Sequence, residues 1–164
     1  MASPVLAAAE KIHPWLVDTR RKIHMNPETA FEEHETSRLV AESLAEWGLE
    51  VKPGVARTGV LGIFDTGRPG PTIGIRADMD ALPVQEENEV PYKSKIDGKM
   101  HACGHDAHTT MLLGTARVLA ENPALLDGVG GRVKFLFQPG EEGHAGGRLM
   151  VEEGALDEPR VDLV

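Results

Sequence analysis

At 164 residues, with 41% hydrophobic and 26% charged residues, the chain has the balance of a soluble globular domain and not that of a disordered segment. Its 17 Lys and Arg against 26 Asp and Glu leave a formal charge of −9, and the basic residues are scattered, which excludes a phosphate-binding face and with it a nucleic-acid partner. No run is long enough to span a bilayer and Met1 to Lys11 lacks the pattern of a signal peptide, so no membrane partner and a cytoplasmic location are expected; a single cysteine excludes an intrachain disulfide, fits a reducing compartment and leaves Cys103 free for structural, nucleophilic or metal-binding use.

Taken in chain order, Ser3 to Met25 reads as a helix, with Ser3 as N-cap, Pro4 in the first turn, apolar Leu6, Ile12, Leu16 and Ile23, and Asn26-Pro27 as its stop. A second helix is expected from about Glu33 to Trp47, with Leu39, Val40, Leu44 and Trp47 on one stripe and Gly48 past its end. Short β-favouring runs follow at Leu49 to Val51, Gly59 to Phe64 and Thr72 to Arg76, separated by Pro and Gly. Residues 83–100 are polar, broken by Pro83 and Pro91, and read as a loop. Thr109 to Ala120 predicts a buried helix, Arg132 to Phe137 a strand, and Gly147 to Glu153 a short helix closed by Gly154. Val161 to Val164 reads as a strand just begun with nothing to finish it, the pattern expected of a truncated chain.

Strands alternating with helices predict an α/β layer structure, in which ligand sites gather at the carboxyl ends of strands. Three of the seven histidines and the only cysteine fall within eight residues, as His101, Cys103, His105 and His108. In an extended conformation alternate residues face one side, so Cys103 and His105 can address one ion, with Gly104 free to bend between them. Thiolate and imidazole suit zinc and similar divalent ions, and Asp106 or His108 can support them from behind. Against this stand a buried cysteine as apolar filler, ordinary satisfied histidines, and a Cys-His nucleophile pair.

Glu141-Glu142, inside Gln138-Pro139-Gly140-Glu141-Glu142-Gly143, follows the strand ending at Phe137. Adjacent side chains diverge on extended backbone, so the two glutamates are expected to divide the labour, one as ligand and one as general base beside a water whose pKa the ion has lowered; the competing reading is a solvated turn. Asp78 and Asp80 follow a strand and can support a histidine ligand, approach the ion, or simply cap a turn. His24, the group Glu28, Glu32, Glu33, His34 and Glu35, and His144 read as solvated or helix-capping residues.

Together these segments resemble the metal-dependent N-acyl-amino-acid amidohydrolases, the hippurate and auxin-conjugate hydrolase branch of the aminoacylase and carboxypeptidase superfamily. The resemblance covers essentially the whole chain and is carried by Arg20 to Glu28, Phe31-Glu32-Glu33, Ile75 to Pro83, Lys99 to Thr109 and Phe137 to Gly143. It implies that residues 1–164 are the N-terminal part of a three-layer α/β/α metallohydrolase catalytic domain with a mixed, mostly parallel sheet, without the lid or dimerisation domain. It further implies two divalent ions (manganese, zinc, cobalt or nickel), metal ligands Cys103, His105 and Glu142, general base Glu141, and Asp80 as the supporting strand-end aspartate of the catalytic set. The reaction implied is hydrolysis of N-acyl or N-aroyl amino acids by metal-activated water, in a protein able to form homo-oligomers. Two further histidine ligands of the family would lie beyond Val164, so the 164-residue chain alone is expected to bind metal weakly and to turn over little or nothing. A non-catalytic fragment or degenerate relative, and a cysteine-nucleophile hydrolase, are the alternatives.

Overall fold

The structure, a computed structural model, describes residues 3–164, so Met1 and Ala2 of the N-terminal stretch read above lie outside it. Two helices lead the chain, α1 (Pro4–Met25) and α2 (His34–Glu46). Ser3 holds the N-cap position of α1, but its side chain makes no capping hydrogen bond. Helix α2 is capped from a distance: Glu28 accepts hydrogen bonds from the N–H groups of Glu35 and Thr36 (2.9 and 2.8 Å), satisfying donors that a helix N-terminus leaves free.

Three strands follow, β1 (Glu50–Val55), β2 (Gly59–Asp65) and β3 (Thr72–Asp78), then α3 (His105–Glu121), a single 3-10 turn (Pro123–Leu126), β4 (Arg132–Gln138) and α4 (Gly146–Glu152). Strand β1 runs beyond the expected Leu49 to Val51, through Pro53-Gly54, with an irregular register between Pro53 and Val55. Proline is tolerated there because β1 is an edge strand. Residues 83–100 are irregular, as expected, closed at their base by an isolated antiparallel bridge between Leu82 and Met100.

The strand order is β1-β2-β4-β3. The sheet is mixed, but in these strands the parallel majority is not realised: β1 with β2 and β2 with β4 are antiparallel, and β3 with β4 is parallel. Short connections dictate the antiparallel pair β1 and β2, whereas the link from β3 to β4 contains α3, as a parallel crossover requires. Beyond β3, Leu163 bridges to Ile73 in parallel, with its carbonyl accepting the Gly74 N–H at 2.7 Å, so the run from Val161 begins to pair at that edge.

Strand alternation sorts the core into two faces. Phe135 and Phe137 of β4 join Val60, Ala77 and Met79 against Val40 and Leu44 of α2 and Leu112, Leu113 and Ala116 of α3. On the opposite face Leu61 and Leu136 pack with Val55, Ala56, Met150 of α4 and Ala155. Helix α1 lies on α3 through Ala8, Ile12 and Val118. The result is the expected α/β/α layering. Among the described residues no helix is long and apolar enough to cross a membrane.

Candidate metal centre

The parallel pair β3 and β4 ends side by side, with Asp78 opposite Gln138 in register and the Met79 N–H still bonded to the Gln138 carbonyl at 2.9 Å. Met79-Asp80 and the loop Pro139 to Gly143 therefore leave the sheet together. The buried carboxylate of Asp80 fastens them: Oδ1 accepts the Glu141 N–H at 2.9 Å and Oδ2 the Glu142 N–H at 3.0 Å. Burial works to raise the Asp80 carboxyl, but the bonds from His105 and from the Glu142 and Glu141 N–H groups outweigh it and hold the group below the ordinary aspartate range.

From the other side the loop is held by Glu33, which is fully buried, not solvated. Its carboxylate accepts the Gly140 N–H at 2.9 Å and the Thr58 hydroxyl at 2.5 Å, and burial pushes its pKa up. Gly140 has φ +55°, and a Cβ there would meet the Phe31 ring at 2.9 Å. The glycine beside the two glutamates is thus required by both backbone and packing.

Helix α3 begins four residues before the expected Thr109. Gly104, at φ +86°, turns the chain directly into it, and His105 is its first residue. The expectation of an extended Cys103 to His105 is corrected accordingly: the two side chains converge because a left-handed glycine and a helix start stand between them. His105 Nδ1 donates to the Asp80 carbonyl at 2.8 Å, which leaves Nε2 facing outward. Around Nε2 lie Asp78 Oδ1 at 3.6 Å, Glu142 Oε1 at 3.8 Å and Glu141 Oε2 at 4.0 Å. Burial opposes the imidazolium, yet the bond to Asp80 and the charge of Asp78 prevail and raise the His105 pKa.

Ligand atoms of Cys103, His105 and Glu142 all lie within 4.8 Å of one another. The two glutamates stand on a loop and not on extended backbone, so both approach the same nitrogen; they differ in surroundings. Glu141 has a side chain 42% exposed, while that of Glu142 is 26% exposed and its Oε1 is buried without a hydrogen-bond partner. An unpaired buried carboxylate oxygen costs free energy unless a cation or donor meets it. Cys103 is exposed, and the neighbouring Glu142 carboxylate, then burial, push its thiol pKa up. The carboxylates crowded around the thiol make the spot favourable for a cation, which when bound would hold the sulfur as thiolate. The donor set fits a divalent metal.

Several residues stand differently from their sequence reading. His24 is buried, not solvated: its ring nitrogens lie 2.7 Å from Asp106 Oδ2 and 3.2 Å from Glu86 Oε1, and Arg20 Nε lies 2.7 Å from the same Asp106 oxygen. This cluster backs the start of α3 behind His105. His108 faces the centre, with Nδ1 donating to Asp78 Oδ1 at 2.7 Å and its ring stacked on that of His105 at 5.6 Å. Asp78 Oδ2 is held by Arg76 at 2.7 Å. His101 does not reach the centre; it is buried with both ring nitrogens unpartnered, and burial lowers its pKa to about 4. His144 packs edge-on against Phe31. The i, i+3 spacing of His105 and His108 was the one available signal, and it becomes legible only once the helix is started at His105.

Comparison with known proteins places this geometry. The chain is 53% identical over 152 residues to IAA-amino acid hydrolase ILR1-like 5 of Arabidopsis thaliana, covering 93% of this chain and 34% of that protein. It is 46% identical over 145 residues to the hippurate hydrolase of Campylobacter jejuni, covering 88% of this chain and 37% of that one. The crystal structure of the Bacillus subtilis YXEP protein, described as a dinuclear metal binding peptidase from the M20 family, superposes with a TM-score of 0.83 at 43% identity over 90% of this chain and 41% of that chain. The chain thus spans about a third of the length of the curated relatives it matches. Residues 74–164, from β3 through the thiol, the histidines and the paired glutamates, match the model of peptidase family M20/M25/M40, and the chain belongs to that family.

Proposed function

We propose that the whole protein hydrolyses the amide bond of N-acyl or N-aroyl amino acids, with residues 1–164 forming the N-terminal part of its catalytic domain. The observation that carries this reading is the buried, unpartnered Oε1 of Glu142 beside Cys103 and His105, with the more exposed Glu141 next to it. In this reading Cys103, His105 and Glu142 hold metal, and Asp80 positions both glutamates through their N–H groups. The similar Bacillus subtilis structure, described as dinuclear, supports two metal ions; their assignment to divalent manganese, zinc, cobalt or nickel is part of the proposal. Bound there, divalent ions supply Lewis-acid polarisation of the amide carbonyl and lower the pKa of the attacking water.

Glu141 then acts on protons. Its carboxylate takes one proton from the water as the oxygen adds to the carbonyl carbon. It returns that proton to the nitrogen as the C–N bond breaks, leaving a free amino acid and a carboxylic acid that ionises by giving water's second proton to the released amine or to solvent. The names of the relatives, which specify IAA-amino acids and hippurate, support an N-acylated amino acid as substrate class. A cytoplasmic location accords with the single exposed thiol.

The test is Glu141→Gln in the whole protein, with hippurate as substrate. Expected is a fall in kcat of about 10²- to 10⁴-fold, the usual worth of a general base, with metal content unchanged by elemental analysis. Full activity in Glu141→Gln, or in protein stripped of metal, would overturn the proposal.

A further inference from the structure

Among the described residues, the non-glycine residues with positive φ are Phe31 (+62°), Ala56 (+50°), Arg57 (+76°) and Ala145 (+54°), and they fall on the segments that meet around the loop carrying Glu141. Residues with side chains keep that conformation only where their surroundings over-determine it, and such places gather at active sites and ligand clamps. Here the hold is explicit. The Ala56 N–H donates to Glu153 Oε2 at 2.8 Å, and the Thr58 hydroxyl donates to Glu33, whose other oxygen accepts the Gly140 N–H. One buried carboxylate thus fixes the turn that carries Arg57 against the loop that carries Glu141.

That turn presents a cation which no carboxylate neutralises. Arg76 and Lys99, on neighbouring segments, are paired with Asp78 and Glu32, but Arg57 meets no carboxylate among the described residues, and its guanidinium lies over the Phe31 ring, 4.5 Å from the centroid. Stacking fixes the plane of the guanidinium and leaves its fork of N–H donors unspent, a geometry suited to gripping a carboxylate through two parallel bonds. The same ring would meet a Cβ at Gly140 at 2.9 Å and takes the edge of His144 at 5.9 Å. Arg57, itself exposed, therefore stands one aromatic ring away from the backbone beside Glu141. An anion approaching this end of the sheet meets Asp78, Asp80, Glu141 and Glu142, in a chain of formal charge −9, and a fixed positive group at the rim offsets that repulsion.

We infer that Arg57, held on Phe31, binds the free α-carboxylate of the substrate's amino-acid half and so selects N-acyl amino acids over their amides and esters. The inference rests on the function proposed above for its substrate class, but on none of the metal ligands; Arg57, Phe31 and His144 hold no metal in that reading. Every N-acyl α-amino acid carries its carboxylate at the same short remove from the amide nitrogen, so one fixed guanidinium serves the whole class whatever the side chain. The carboxylate takes no part in bond breaking and is gripped alike in the bound substrate and in the transition state, so Arg57 contributes to binding and little to turnover.

The experiment uses the whole, metal-loaded protein and compares hippurate with hippuramide, the same molecule with its carboxylate replaced by an uncharged amide, read by the benzoate released. The unsubstituted protein is expected to prefer hippurate. Arg57→Gln should raise KM for hippurate by about 10- to 100-fold, the usual worth of a charge-assisted hydrogen-bonded pair, with kcat within about threefold and the kinetics on hippuramide unchanged. Arg57→Lys, which keeps the charge but not the fork, should recover part of the loss. Arg57→Gly removes the guanidinium and adopts the positive φ freely, so it should show the same loss on hippurate with Tm and metal content undiminished, which a merely structural arginine would not. Unchanged KM for hippurate in both Arg57→Gln and Arg57→Gly, equal losses on hippurate and hippuramide, or an unsubstituted protein that does not distinguish the two compounds overturns this inference alone. Absence of turnover of either compound by the unsubstituted protein overturns the proposed function and this inference together.

Discussion

Asp80 shows how one buried side chain sets the position of two others. Its two oxygens accept the N–H groups of consecutive residues, and its carbonyl fixes the tautomer of His105. Asp80→Asn keeps the shape but replaces one acceptor with a donor, which faces a backbone N–H and leaves it unpaired. The expected result is a loss of stability of about 1–3 kcal/mol in urea unfolding and a fall in metal affinity of about 10- to 100-fold. A neutral outcome in both measurements would mean that the loop holds itself. The spacing of Asp78 and Asp80 suggested that either could serve, and the sequence left that choice open because it depends on which strand lies alongside. The pairing of β3 with β4 makes the difference: Asp80 meets the loop leaving β4, while Asp78 turns to the histidines.

At the scale of elements, the loop after β4 and the start of α3 are the two devices that assemble the centre, and each turns on a glycine at positive φ. Gly140→Ala combines the strain of φ +55° with a Cβ pressed to 2.9 Å from Phe31. Destabilisation of about 1–2 kcal/mol is expected from the backbone alone, with more from the contact. Gly140→Ala combined with Phe31→Leu should recover only the contact part, since the backbone strain remains. Thermal unfolding of the single and double variants separates the two, and complete recovery in the double variant would show that packing alone required the glycine. Element positions were readable from periodicity and punctuation at α2, β2, β3 and β4. The start of α3 was not, because His105 to His108 carries no apolar stripe; its first turn is held by tertiary bonds to Asp80 and Asp78.

For the whole molecule, acid stability follows from buried imidazole. His101 is buried and unpartnered, and its pKa falls from the usual 6.5 to about 4. The unfolded chain therefore binds a proton at pH values where the folded chain does not. The stability this contributes is complete above about pH 6.5 and lost progressively as pH falls towards 4, amounting to about 3 kcal/mol across the window. His101→Gln should flatten that part of the stability profile in the metal-free protein, whatever its effect at neutral pH. Urea unfolding at pH 7.5 and 4.5 measures the difference, and an unchanged slope would show that His101 finds a partner in solution.

By itself the sequence determined the layer class, the order of helices and strands, and the short segments that hold the centre, since periodicity, glycine and proline placement, and the clustering of rare ligand residues are local properties. It also marked Cys103, His105, Glu141 and Glu142 as candidates through their residue types and neighbours. Tertiary structure alone decided that the sheet segment is largely antiparallel, because pairing is a matter of which distant strand arrives alongside. It likewise decided that His24 is buried between Asp106 and Glu86, residues 82 and 62 positions away, and that Asp78 and His108 meet beside His105. A charged side chain reads as solvated until the chain that buries it is in place, and only folding brings that chain there.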